Sequence, residues 1–297
     1  MERDPCTEGI DNPQLPEFSS WRSYRKFEQR VRRRRRHIWD REIEAFLETV
    51  MQTRQSRDSE ILEDTVLWRA QLGVVYIPLN DENGQEYGEQ PMGFSGARMK
   101  PVAEYAREGR ANSSGIPILY LASTEETAIS EVRPWVGSEV SVAQFKVTRK
   151  LNAIDLTQGY GKASWRGLTL RQLSGQEEPD AETKEKAVWI DIDNAFSKPV
   201  TLSDDRENYV ATRILAELFQ EAGYDAIAYR SQFGQEEIEG YNIAIFELDD
   251  AAILNCAPYR VESIKVNYKE FGNRWFAKAS PPLDGEDNED ALPLPVE

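Results

Sequence analysis

Arg110, Tyr120 and Glu131 follow one another at intervals of ten and eleven residues in the stretch Gly109 to Pro134, GRANSSGIPILYLASTEETAISEVRP. A guanidinium offers a planar fork of donors that matches phosphate, a phenol offers a flat ring with a hydroxyl, and a carboxylate can grip a sugar hydroxyl or offset positive charge developing on a sugar carbon. Together they suit a substrate with phosphates, a flat ring and a sugar, which describes a dinucleotide. Their neighbours set them on different elements. Arg110 lies in a polar turn. Tyr120 lies in the apolar run Ile116 to Leu121, which reads as a buried strand, and Glu131 lies on a helix for which Ser123-Thr124 supplies the N-cap. For these groups to act together, a loop, a strand end and a helix must face one cleft. Taken singly each has a plain alternative: a loop charge, a core tyrosine, an exposed helix carboxylate.

The composition narrows the chemistry. The chain has one histidine, His37, in an arginine run outside the expected catalytic region, and two cysteines, Cys6 and Cys256. No Ser-His or Cys-His dyad can be built in that region, nor a metal site that uses histidine. The expected work is therefore done by carboxylates, arginines, phenols and hydroxyls, with no metal. The cysteine count excludes a disulfide framework and favours a reducing, cytoplasmic location. No apolar run approaches the roughly 20 residues of a membrane span, and MERDPCTEG at the start has no signal-peptide core.

The formal net charge of −16 is unevenly spread, because residues 22–41 carry +8 and leave about −24 on the rest. An acidic surface repels nucleic acid except where the basic segment is exposed. Arg32 to Arg36 covers every helical face, and docking against the acidic body or an acidic partner is the favoured reading. Nucleic-acid binding is a weaker one, since no known binding fold accompanies the run. A dimerisation or regulatory helix also fits.

The chain divides into a loose leader (1–16), a basic helical extension (17–60), a main domain (64–268) and an acidic, disordered tail (280–297). The extension shows apolar faces at helical spacing: Trp21, Tyr24, Phe27 and Val31, then Trp39, Ile43, Phe46, Leu47 and Val50. In the main domain, strands are expected at Asp64–Ala70, Val74–Ile77, Glu139–Val147, Leu151–Leu156, Ala226–Tyr229, Asn242–Leu248 and Ser263–Tyr268. Asn83-Gly84 marks a turn, a helix or turn is expected around Ala187–Ile192, and a helix over Asn208–Ala222. Gly159 to Ser164, GYGKAS, lacks the spacing of a nucleoside-triphosphate loop. Strands outnumber helices without alternating with them, so the fold class is α+β.

The ordered set GR-x-N (109–112), G-x-P (115–117), LYLAS, TA-x-x-EVRP, FSKPV (196–200), GYDAIAYRS (223–231) and YNIAIF (241–246), with Trp68-Arg69 upstream, resembles the RES domain family, over roughly residues 64 to 268. Many members of that family are NAD-degrading toxins paired with antitoxins. The resemblance implies an ADP-ribosyltransferase-like split mixed sheet around a cleft, NAD+ as substrate and water or inorganic phosphate as acceptor, with transfer to a macromolecule as a variant. It implies catalytic roles for Arg110, Tyr120, Glu131 and Ser231. It also makes Arg69, Asn112 and Asn242 candidates for binding NAD+, joined by Arg98 in the glycine-containing segment after Gly93. An antitoxin or other regulatory protein is the implied partner, and a homo-oligomer through the N-terminal helix is a further expectation. Two departures stand out: EGRA replaces the family's GGRW-like turn, so Ala111 lacks an aromatic contact, and the N-terminal extension and the Gly73–Gly109 excursion are additions.

The chemistry of NAD+ suits such a site. Nicotinamide leaves a cationic ring as a neutral molecule, so no strong acid is required, and the barrier lies in positive charge developing on the ribose. Glu131 can offset that charge, Tyr120 can present its ring and hydroxyl, Arg110 can fork onto the pyrophosphate, and Ser231 can hold an oxygen or position the acceptor.

Overall fold

The computed structural model describes residues 16–33, 39–198, 209–233, 240–272 and 274–275. Arg34 to Arg36, His37, Cys6, nearly all of the leader, the acidic tail and Pro199-Val200 of the FSKPV motif lie outside the described residues.

The N-terminal segment folds as two helices, α1 (Ser23–Arg33) and α2 (Arg41–Thr53). Asp40 begins α2, its side chain accepting from the backbone N–H groups of Glu42 and Ile43. The apolar faces read from the sequence are buried, apart from Trp39, which is exposed. Phe27 stacks on Phe46 with ring centroids 4.6 Å apart. These helices are not a detached arm: Tyr24, Phe27, Phe46 and Val50 share one core with Trp189, Ile192 and Phe196 of α6 (Ala181–Ser197) and with Leu215 and Phe219 of α7 (Val210–Glu221). Truncating a core aromatic such as Phe46 to alanine costs about 3–5 kcal/mol in comparable settings.

The basic side chains of α1 are drawn onto the chain itself. Arg25 forks onto Asp191 and reaches Ser164, Arg30 pairs with Asp40 and Glu42, and Arg32 lies 3.9 Å from Glu28. Docking against the main domain thus accounts for Arg25, while Arg30 and Arg32 are paired within the N-terminal segment itself.

The main sheet has eight strands, β1 (Asp58–Ile61), β2 (Val66–Leu72), β5 (Leu119–Ala122), β6 (Glu139–Val147), β7 (Leu151–Leu156), β8 (Ala226–Arg230), β9 (Tyr241–Ile245) and β10 (Ala251–Arg260). Their order is β1-β7-β8-β9-β5-β2-β6-β10, with β3 (Val75–Asn80) and β4 (Glu86–Met92) forming a separate hairpin. Only β7 and β8 run parallel; every other pair is antiparallel. The class is α+β with a large mixed sheet. The sheet parts between β2 and β5, which share a single residue pair, Trp68 with Ala122. That parting makes room for a cleft.

Several expectations are corrected. Ser263–Tyr268 forms no strand: Val266 and Tyr268 are exposed and the residues are irregular. The last strand is β10, which its sequence conceals with Asn255, a bulge after Ile253, and Pro258. An edge position tolerates proline because one side of the strand needs no donor. In the excursion after Gly73 the expected Val74–Ile77 strand extends to Asn80 and folds back on β4 through the expected turn. Asp81 closes that turn, its side chain accepting from Asn83 and Gln85 while Gly84 takes φ +80°. β1 has no counterpart among the expected strands. α6 is about three turns longer than the expected 187–192 segment, because its polar positions are buried too: Lys184 pairs with Glu17, and Asp193 with Arg57 at 2.9 Å.

Residues 264–297 form a separate unit, in which the described residues carry no helix or strand and Arg274 pairs with Glu270.

Candidate active site

Register across the parted sheet lays down one wall. Trp68 of β2 pairs with Ala122 of β5, Ala122 with Asn242 of β9, and Asn242 with Tyr229 of β8. Residues paired directly across strands point to the same face, so these four form a row, and all four line a cavity of about 420 Å³. Arg69, Arg110, Tyr120 and Glu131 line it as well, together with Glu108 and Tyr209. A cleft of this size fits the range of small-molecule sites.

Glu131 ends α4 (Glu125–Glu131), a short helix capped by Thr124, whose hydroxyl accepts from the Thr127 N–H. Arg133, in the left-handed region at φ +49°, turns the chain away before Pro134. The Glu131 carboxylate takes two donors on Oε1: the Ser231 hydroxyl at 2.7 Å and the Asn242 amide at 2.5 Å. Ser231 in turn accepts from the Phe233 N–H at 3.1 Å. Two distant segments thus fix one carboxylate, and Oε2 has no hydrogen-bond partner among the described residues. Two donors on one oxygen hold the carboxylate still.

Arg110 lies near two rings, with its guanidinium carbon 5.6 Å from the centre of Tyr209 and 5.7 Å from that of Tyr229, and it donates to the Phe196 carbonyl. Aromatic faces orient a guanidinium without consuming its donors. The Tyr229 hydroxyl is raised in pKa by burial. Glu108, at the other side of the turn, is paired with Arg213 at 2.8 Å.

Tyr120 does more than face the cleft. Its hydroxyl donates to Asn112 Oδ1 at 2.8 Å and accepts from the Ala111 N–H at 3.0 Å, and burial pushes its pKa up to about 12. The phenol is therefore a neutral group that pins the arginine-bearing turn. Asn112 completes the clamp, its amide donating to the carbonyls of Arg107, Ser113 and Ile116. Gly109 is obligatory there, since a Cβ would fall 2.5 Å from both Asn112 Oδ1 and the Tyr120 hydroxyl oxygen. Ala111, which lacks the aromatic of the family's turn, is buried and contributes its N–H instead.

Arg69 crosses the parting of the sheet, donating to the Tyr120 carbonyl at 3.3 Å while its Nε finds no acceptor. Burial lowers its pKa. A buried guanidinium with an open donor is a place where an anion belongs. Arg98 sits elsewhere: it lies on the short helix α3 (Gly96–Met99), 3.4 Å over the Phe94 ring, and faces a second cavity rather than the first.

Of the expected residues, the structure therefore brings Arg69, Arg110, Tyr120, Glu131 and Asn242 to one cleft, with Ser231 behind Glu131. Asn112 acts through the turn, and Arg98 stands apart. Glu108 and Tyr209 join the site without a signal of their own in the sequence reading, and Trp68 and Tyr229, though within the family-like motifs, carry no role in it. Tyr229 is within reach of such a reading, being two residues before Ser231 at the end of the same strand; the others depend on register or on helix placement.

The model of the RES domain matches residues 66–268, more than half of the chain. The chain belongs to the RES domain family. No curated protein matches it. Among solved structures, the M. tuberculosis MbcT-MbcA toxin-antitoxin complex is similar at 12% identity and a TM-score of 0.34, over 71% of this chain and 92% of that one. A likeness that distant supports no conclusion about this RES protein. No helix among its described residues is long and apolar enough to cross a membrane.

Proposed function

We propose that this RES protein consumes NAD+ by breaking the bond between nicotinamide and ribose. The observation that supports this most is the Glu131 carboxylate, fixed by Ser231 and Asn242 at the wall of a cleft that also presents Arg69, Arg110 and two tyrosine rings. In the reaction the C1′–N bond breaks and its electron pair returns to the nicotinamide ring, which leaves neutral. Positive charge appears on the ribose, and Glu131 stabilises it from a position held in advance, at no cost of reorganisation during the step. The acceptor then bonds to C1′, and water or a hydroxyl acceptor passes its proton to the surrounding solvent.

Arg110 and Arg69 meet the pyrophosphate with paired donors, and Arg69 gains the acceptor its Nε lacks. Tyr209 and Tyr229 offer faces for the nicotinamide ring. Tyr120 serves the site chiefly through the turn: with its pKa pushed up to about 12 it neither gives up nor takes a proton at neutral pH.

The acceptor is water, inorganic phosphate or a macromolecule. Incubation with NAD+ in phosphate-free and phosphate buffer, read by product mass, separates hydrolysis from phosphorolysis, and label from NAD+ left on a protein band marks transfer. Absence of nicotinamide under every condition, lysate included, sinks the reading. A toxin restrained by a partner protein is the setting that RES membership favours. Expression in a host cell then tests it: the wild type should arrest growth and Glu131→Ala should not.

A further inference from the structure

A second cavity, of about 460 Å³, abuts the first, and the two share Arg69 and Tyr120 as a common border. The residues facing it include Arg69, Arg98, Lys100 and Arg107, and no carboxylate is among them. In a chain with a net charge of −16 this is an unusual concentration of one sign. The first cavity shows no such excess, for there two arginines face two glutamates.

Arg98 and Arg107 are held by their surroundings rather than neutralised. Arg98 is stacked on Phe94, and its carbonyl accepts from the Gln71 amide at 3.0 Å. The Arg107 carbonyl is fastened by Asn112, while its side chain is exposed. Among the described residues neither guanidinium has a carboxylate partner. Lys100 donates to the Leu248 carbonyl at 2.8 Å and lies 3.3 Å from Asp249, whose side chain is fully exposed and so screens it weakly. Tyr105 stands 80% exposed beside them and offers a free ring face. Like charges gathered in excess of their partners repel, and an anion reverses that cost.

If the first cavity holds the nicotinamide end, the pyrophosphate lies near the shared border, where Arg69 and Arg110 already match its charge. Three further cations exceed what NAD+ requires. We propose that the second cavity binds a phosphate monoester on the adenosine half of the substrate, so that the 2′-phosphorylated dinucleotide, NADP+, is held in preference to NAD+. The proposal rests on the dinucleotide reading above. Tyr105 stacks on the adenine, and Arg98, Lys100 and Arg107 surround the 2′-phosphate.

Binding tests this apart from turnover. In Glu131→Gln, which slows consumption, calorimetric titration should show NADP+ held about tenfold more tightly than NAD+. Adding Arg98→Ala and Arg107→Ala should shrink that ratio about tenfold, to near one, the equivalent of losing a charge-assisted hydrogen bond. A Glu131→Gln protein that binds NAD+ as tightly as NADP+, or a ratio unchanged by the arginine substitutions, overturns the proposal. A free-phosphate source is distinguished by titrating inorganic phosphate. If it binds with the same dependence on Arg98 and Arg107 while the two dinucleotides bind alike, the cavity serves the ion instead and the proposal fails. Absence of cleavage by the wild type would refute the catalytic reading, whereas the ratio of the two affinities decides the phosphate site whether or not cleavage occurs.

Discussion

The two cavities on either side of Arg69 are built on opposite principles. In the first, opposite charges are present in equal number, and the critical acid is over-determined: a hydroxyl and an amide from two other segments converge on one oxygen of Glu131. In the second, cations gather with no acid among them, on a short helix and loops rather than on a strand row. A site that must stabilise charge arising during a reaction needs a group already in place. A site that only holds a charged substituent needs net charge and tolerates more freedom. The contrast teaches that position matters most on one side of the border and charge on the other, and each can be broken separately.

Apart from altering Glu131 itself, the strongest effect should come from loosening the acid while keeping the residue. Asn242→Ala and Ser231→Ala each leave Glu131 intact but remove one anchor, and a misplaced catalytic group can cost about 10²-fold in rate. We expect kcat to fall by roughly that factor in each variant and KM to move little, as measured by nicotinamide release. A change confined to KM would mean that the anchors bind substrate rather than hold Glu131.

Next is the turn that carries Arg110. Gly109→Ala forces the clamp of Tyr120 and Asn112 apart, with an expected loss of about 1–3 kcal/mol in denaturant unfolding, as for other overpacked sites. Because Asn112 also fastens Arg107, this variant should weaken both cavities. Unchanged stability would show that the turn yields more easily than its contacts indicate.

The smallest effect concerns pH. The folded pKa of Tyr120, about 12, lies above the ordinary value of 10.0, so the folded state keeps this proton longer than the unfolded chain does. Its contribution is fully present below pH 10 and declines as pH rises toward 12, by at most about 2–3 kcal/mol. Tyr120→Phe should flatten that part of the alkaline unfolding curve while lowering stability at neutral pH, through loss of the bonds to Ala111 and Asn112. An alkaline limb identical to that of the wild type would contradict the assignment.

Much of this is legible in the chain. The run Ile116 to Leu121 and the cap at Thr124 set where Tyr120 and Glu131 sit, because both signals are local. β6 and β7 have the ends their sequence predicts, since alternation and flanking turns define them. Trp68, Tyr229 and Asn242 meet only through register across four strands, which no local window contains. Asn112 illustrates another limit: its residue type suits binding a ligand, yet three backbone carbonyls take its amide. β10 escapes a pattern search because Asn255 and Pro258 interrupt it, and α6 reads too short because it buries Lys184 and Asp193 against partners far away in sequence.

The most direct test of the central claim compares nicotinamide release from NAD+ and NADP+ by the wild type and by Glu131→Gln, with folding verified by matched unfolding curves. The account predicts release by the wild type and a fall of roughly 10²–10³-fold in kcat when the carboxylate becomes an amide of the same shape. Equal release by the two folded proteins would contradict it.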